Sequence, residues 1–160
     1  MRRQITAGEV ARFLEAWIRL AMADVRLRVL PYRYNRRLLE PGVPLEVSSS
    51  TAVTDSSAFE KRLASMLRDV NRAAHRQLFF NMSCLRKAIV IREKLRNMGV
   101  RTVLVYGAKQ NQEAGPACVS THAWLEVVAP EQVKGMVIDP SSLSHQFSRL
   151  KGRARQVHRK

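Results

Sequence analysis

The run CLRKAIVIREKLRNMGV, beginning at Cys84, constrains this chain more than any other stretch. Its apolar positions Leu85, Ala88, Ile89, Ile91, Leu95 and Met98 recur mostly at spacings of three and four, the period of a helix with one buried stripe. Asn81 or Ser83 can supply the N-cap, and Gly99 can take the left-handed conformation that closes a helix. Both ends of the predicted helix therefore have a chemical cause, and Cys84 falls in its first turn. There the unpaired backbone N–H groups and the positive end of the helix dipole favour a thiolate over a thiol. A free cysteine is also a common small core residue, so it needs partners before it counts as a nucleophile.

Two residues of the required type follow. The segments RTVLVYGA (101–108), THAWLEVV (121–128) and KGMVID (134–139) read as three strands separated by turn-forming stretches. His122 opens the second and Asp139 closes the third. On adjacent antiparallel strands an imidazole and a carboxylate can meet across the ladder, the carboxylate fixing the ring tautomer while the other ring nitrogen faces a thiol. Cys84, His122 and Asp139 are thus the candidate catalytic residues. Taken singly, such a His is commonly structural and an Asp before Pro a plain strand stop.

The helix run, then HAWLEV, then VIDP resemble the transglutaminase-like cysteine peptidases that remove leader peptides in lasso-peptide biosynthesis, the microcin-J25-processing family. Its Cys-Leu helix motif matches Cys84, Leu85, Lys87, Ala88, Leu95 and Gly99. Its His-Ala-Trp-hydrophobic-Glu motif matches His122, Ala123, Trp124, Leu125 and Glu126. The Arg- and Leu-rich opening that ends in Leu30-Pro31-Tyr32 is similar to the family's N-terminal part. The resemblance implies a papain-like or transglutaminase-like core and a Cys84-His122-Asp139 triad that cleaves a ribosomally made precursor peptide at the leader. It also implies a small leader-binding protein that presents the precursor and an ATP-dependent cyclase that closes the macrolactam afterwards.

At 160 residues the chain is about one domain. Thr6 to Glu9 has the form of a capping box, and Val10, Phe13, Leu14, Trp17, Ile18, Leu20, Ala21, Val25 and Leu27 carry a helix to about Val29, where Pro31 stops it. This helix is expected to pack on its own domain, a membrane-surface role being the alternative. Residues 40–55 read as a loop, and Ser57 to Glu60 as a second capping box opening a helix with the stripe Phe59, Leu63, Met66, Leu67, Val70, Ala74 and Leu78. Residues 110–120 read as a hairpin loop beside the site, with Cys118 a bystander in it. Trp124 lies on the same strand face as His122 and can shield the His-Asp contact. Asn81 is a candidate second oxyanion donor beside the Cys84 N–H.

These elements predict an α+β fold, N-terminal helices followed by a small antiparallel sheet. The domain spans residues 1–140, with helices to 40, a loop at 41–55 and a catalytic core at 56–140, and a basic tail runs from 141 to 160. No run of eighteen apolar residues and no signal-peptide block is present, so a soluble, cytoplasmic protein with reduced cysteines is expected. His75, His122, His145 and His158 show no metal-ligand spacing with the cysteines and no glycine-rich phosphate loop occurs, so neither metal nor cofactor is expected. The net charge of +15, from 28 basic and 13 acidic residues, names no partner by itself: solubility alone, an acidic precursor or leader-binding partner, and nucleic acid are the readings open to it. Without a nucleic-acid-binding motif or interleaved aromatics, nucleic acid is not the expected partner. Two alternatives retain the sequence features: an acyltransferase using the same triad, and a basic binding module without catalysis.

Overall fold

The computed structural model describes residues 6–44, 55–77, 83–110 and 119–150. Four helices precede a four-stranded antiparallel sheet, the α+β order that the periodicities predict. Helix α1 (Ala7–Val29) begins at Thr6, whose hydroxyl accepts from the Glu9 N–H while Glu9 reaches back to the Thr6 N–H, so the expected capping box is formed. Pro31 ends α1 and also opens a further helix, α2 (Tyr32–Leu39), which the apolar pattern does not announce. A proline needs no N–H donor at a helix start, so one residue serves both purposes.

Helix α3 (Ser56–His75) is capped by Asp55, which accepts from the N–H groups of Ser57 and Ala58. The capping box expected at Ser57 does not form; the cap lies two residues upstream at Asp55, where a carboxylate complements the helix dipole better than a hydroxyl. Leu78, at the end of the predicted stripe, lies outside the described residues, as do Asn81, Cys118 and the segment 151–160. Helix α4 (Cys84–Asn97) follows Ser83 and closes at Gly99, whose φ of +78° is the left-handed turn anticipated there. Ser83 stands at the N-cap position, but its hydroxyl accepts from the Arg86 guanidinium at 3.4 Å and from no backbone N–H of the helix.

Strands β1 (Arg101–Gln110) and β2 (Val119–Ala129) form the centre of the sheet and are longer than predicted; β3 (Val137–Ile138) and β4 (Ser148–Arg149) flank them in the order β3-β2-β1-β4. The third strand is two residues long, not six, because a 3₁₀ turn at Glu131–Val133 and a left-handed Gly135 take up the approach to it. At the other edge, Ser148 and Arg149 pair with Ala108 and Gly107. Arg149, inside the stretch 141–160 read as a basic tail, is thus part of the sheet and pairs with Glu126 at 3.0 Å. Along β2 the side chains alternate. Ala123, Leu125 and Val127 join the core built with α1, α3 and α4, while Trp124 joins Val103, Val105 and Phe147 in a smaller cluster on the other face.

The end of α2 and the segment after it are fixed to this body by one buried and one half-buried donor. Arg92, fully buried in α4, donates to the carbonyls of Leu38, at 2.8 Å, and Val43. Tyr106 on β1 donates to the Leu39 carbonyl at 3.0 Å.

Candidate active site

Cys84 is the first residue of α4 and half-buried, packed against the main core. The helix packs on β2, which carries His122, and the pairing of Leu125 with Ile138 places Asp139 beside Trp124 and diagonally from His122. His122 Nε2 lies 2.9 Å from Asp139 Oδ1, with the two side chains 4 % and 6 % exposed. The predicted meeting of imidazole and carboxylate across the ladder is therefore present in the structure.

Asp139 has more partners than the ring. Its Oδ1 also accepts from the Ser141 N–H at 2.9 Å, and its Oδ2 from the N–H groups of Leu143 and Ser144, each at 2.6 Å. Burial on its own would raise the carboxyl's pKa. The Ser141 N–H, the His122 ring and the Ser144 N–H outweigh that, and the group is held below the ordinary carboxylate range. An ionised Asp139 facing Nε2 makes that nitrogen the N–H donor and leaves the lone pair on Nδ1. The turn that supplies the three N–H groups passes through Ser142 at a φ of +55°, a conformation rarely adopted outside glycine. These three donors carry no periodic or compositional signal, so they were not legible in the sequence.

His122 is enclosed by rings. Trp124 stacks at a centroid separation of 6.0 Å and Phe147 tilts against it at 5.1 Å. Trp124 in turn directs its Nε1 to Glu126, which pairs with Arg149. The His-x-Trp-x-Glu spacing is thus one face of one strand, the tryptophan held between the imidazole and a carboxylate. Gly107, opposite His122 in the ladder, leaves room for this packing. A Cβ there would sit 2.7 Å from the Trp124 ring and 2.8 Å from Phe147 Cβ. Gly107→Ala is expected to cost about 1–3 kcal/mol by overpacking. Thermal unfolding should show a Tm lower by ~3–10 °C; an unchanged Tm would mean the rings are not held as described.

Cys84 is linked to this pair through Lys87, one turn further along α4. The half-buried ammonium is lowered in pKa by desolvation, against which the charges of Cys84 and Asp139 both act. One cation therefore feels the nucleophile candidate and the carboxylate together. No thiol–imidazole hydrogen bond joins Cys84 to His122. Tyr106 also feels Cys84, and burial, the largest cause, pushes its phenol up to about 12, so it remains a neutral donor. Among the described residues no group of three or more His, Cys, Asp or Glu is placed to hold a metal ion.

Comparison with curated proteins and with solved structures finds no match for this chain. A family model described as the transglutaminase-like superfamily matches residues 16–150, from the middle of α1 to the end of β4. That match takes in the helix-borne cysteine and the His-Asp pair alike, and the chain belongs to the transglutaminase-like superfamily.

Proposed function

We propose that this chain is a cysteine peptidase that removes the leader from a ribosomally made lasso-peptide precursor. The observation that carries the reading is the enclosed His122–Asp139 pair in a chain whose fourth helix opens on a cysteine. Membership of a superfamily of generally cysteine-dependent enzymes supports the chemistry. The leader-peptide substrate is supported by the resemblance at Cys84 to Gly99 and His122 to Glu126.

In this mechanism His122 Nδ1 takes the Cys84 proton, and Sγ attacks the carbonyl carbon at the leader–core junction. The Cys84 N–H, at the helix start, stabilises the oxyanion. The imidazolium gives its proton to the departing amine, freeing the core peptide. Water, activated by His122, then hydrolyses the thioester and releases the leader as a carboxylic acid, restoring the thiol. Asp139 holds Nε2 throughout. The thiol–imidazole contact forms as substrate binds, in keeping with catalytic hydrogen bonds that tighten only in the complex. A separate leader-binding protein would present the precursor, and the freed amine would pass to an ATP-dependent cyclase.

The test combines alkylation with product analysis. At pH ~7 Cys84 should be alkylated about tenfold faster than Cys118. His122→Ala should abolish the difference. Lys87→Met should slow labelling of Cys84 about three- to tenfold by removing the ammonium that attracts the thiolate, without loss of stability, since a half-buried charge is removed with it. With a precursor and its leader-binding partner, mass spectrometry should show leader and core whose summed mass exceeds the precursor's by one water. A new amide in place of that water would make the enzyme an acyltransferase. Intact precursor, together with salt-dependent nucleic-acid binding indifferent to Cys84→Ala, would instead indicate a binding module.

A further inference from the structure

Helix α1 is expected from its sequence to bury its apolar stripe, yet the structure turns much of it outward. Val10, Leu14, Ile18, Met22, Val25 and Val29, at spacings of four and three, are 44–70 % exposed and form one line along the helix. The inward face is narrower and made of smaller residues, chiefly Ala16, Leu20 and Ala23.

The rotation of α1 is fixed from several directions. Asp24, fully buried, meets Arg86 of α4 at 2.5 Å and Arg28 at 2.7 Å. Arg12 pairs with Asp69 of α3, and Glu15 with Lys94 of α4. Gln77 donates to the Trp17 carbonyl at 2.8 Å. Rolling the outer stripe inward would break contacts to two neighbouring helices, so its exposure is built into the fold. A helix of 23 residues is about 34 Å long, and an apolar line of that length is larger than the scattered apolar residues of an ordinary surface.

We infer that this face is a docking surface for an anionic lipid bilayer, on which α1 lies in the interfacial plane. Charge chooses among occupants. From Val25 to Leu39 the sequence holds five arginines, at 26, 28, 33, 36 and 37, and no acid. Arg33 lies over the Tyr34 ring at 4.8 Å, and neither Arg33 nor Arg37 has a carboxylate partner among the described residues. Tyr32 and Tyr34, 62 % and 55 % exposed, offer the amphipathic rings suited to a headgroup region. An apolar helix face continued by a basic, tyrosine-bearing second helix is complementary to anionic headgroups above acyl chains. A second copy is disfavoured because each chain carries +15. No helix among the described residues is long and apolar enough to cross a membrane, so the helix lies on the surface.

Co-sedimentation of the full chain with phosphatidylglycerol–phosphatidylcholine vesicles tests this. Binding is expected, at least tenfold weaker to phosphatidylcholine alone, and reduced at least tenfold by the double variant Ile18→Glu/Met22→Glu with an unchanged far-ultraviolet circular dichroism spectrum. Arg33→Ala/Arg37→Ala should weaken binding and flatten its salt dependence. Brominated acyl chains should quench Trp17, on the α1 surface, while Trp124, 5 % exposed, is untouched; this reading in the wild type does not depend on any variant folding. Wild-type protein left in the supernatant would overturn the inference. So would vesicle binding that neither quenches Trp17 nor responds to the glutamates, which assigns adsorption to the basic C-terminal segment. A wild-type dimer that ignores vesicles and dissociates on Ile18→Glu would give the face to a second copy.

Discussion

Asp139→Asn is expected to lower turnover of the precursor by roughly 10³–10⁴-fold and to cost about 2–3 kcal/mol of stability. The two losses have one cause. Four donors converge on the Asp139 carboxylate, two at each oxygen. An amide has a single acceptor oxygen, so in either orientation its NH₂ faces two N–H groups. If that NH₂ instead points at His122, the ring must accept through Nε2. The proton then moves to Nδ1, the nitrogen that must receive the thiol's proton, and the base is lost. The stability effect has a defined pH dependence. The folded carboxyl lies below its ordinary value of 3.8, so its contribution is fully present above that value and is lost as pH falls through the depressed folded value. Denaturation curves of wild type and Asp139→Asn should therefore differ most at neutral pH and converge in acid. A constant offset down to about pH 2 would mean that the charge of Asp139 is not the source of the effect.

The backbone of this arrangement was legible because it rests on periodicity and on residues with few conformational options. A 3.6-residue stripe closed by Gly99 fixed α4 and so placed Cys84 at its start, and alternation on β2 placed His122, Trp124 and Glu126 on one face. What stayed hidden depends on contacts between segments distant in the chain. The pairing of Arg149 with Glu126 and the seating of Phe147 on His122 require β4 to reach β1, and nothing in FSR distinguishes a two-residue edge strand from a loop. Helix α2 carries no periodic apolar signal because its polar sequence, YRYNRRLL, buries only Asn35 and Leu38. Helix α1 packs on its own domain as expected, against α3 and α4, while several of its apolar residues face outward. Periodicity identifies an apolar stripe but not the direction it faces, which is set here by Asp24, Arg86 and Arg12.

The largest stability loss is expected at Arg92, two turns along α4 from Cys84. Its guanidinium is fully buried in α4, and its partners are carbonyls, Leu38 and Val43, with no carboxylate among the described residues. Burial lowers its pKa to about 10, which leaves it charged at neutral pH. Leu38 lies in the last turn of α2, where the carbonyls form the negative end of the helix, so a cation is well placed there. Arg92→Ala removes both donors and opens a cavity, and should cost about 3–5 kcal/mol. Arg92→Met keeps the volume and avoids burying a charge; only the orphaned carbonyls remain, at about 1–3 kcal/mol. The order Ala worse than Met separates this account from one in which Arg92 contributes charge alone, for which the two variants would be equal. Release of Leu38 and Val43 should also free the turn after α2, exposing Arg36 and Arg37 to trypsin faster than the rest of the chain. Urea denaturation of both variants with timed tryptic digestion tests this, and an Arg92→Ala protein within about 1 kcal/mol of wild type would show that the carbonyls are satisfied some other way.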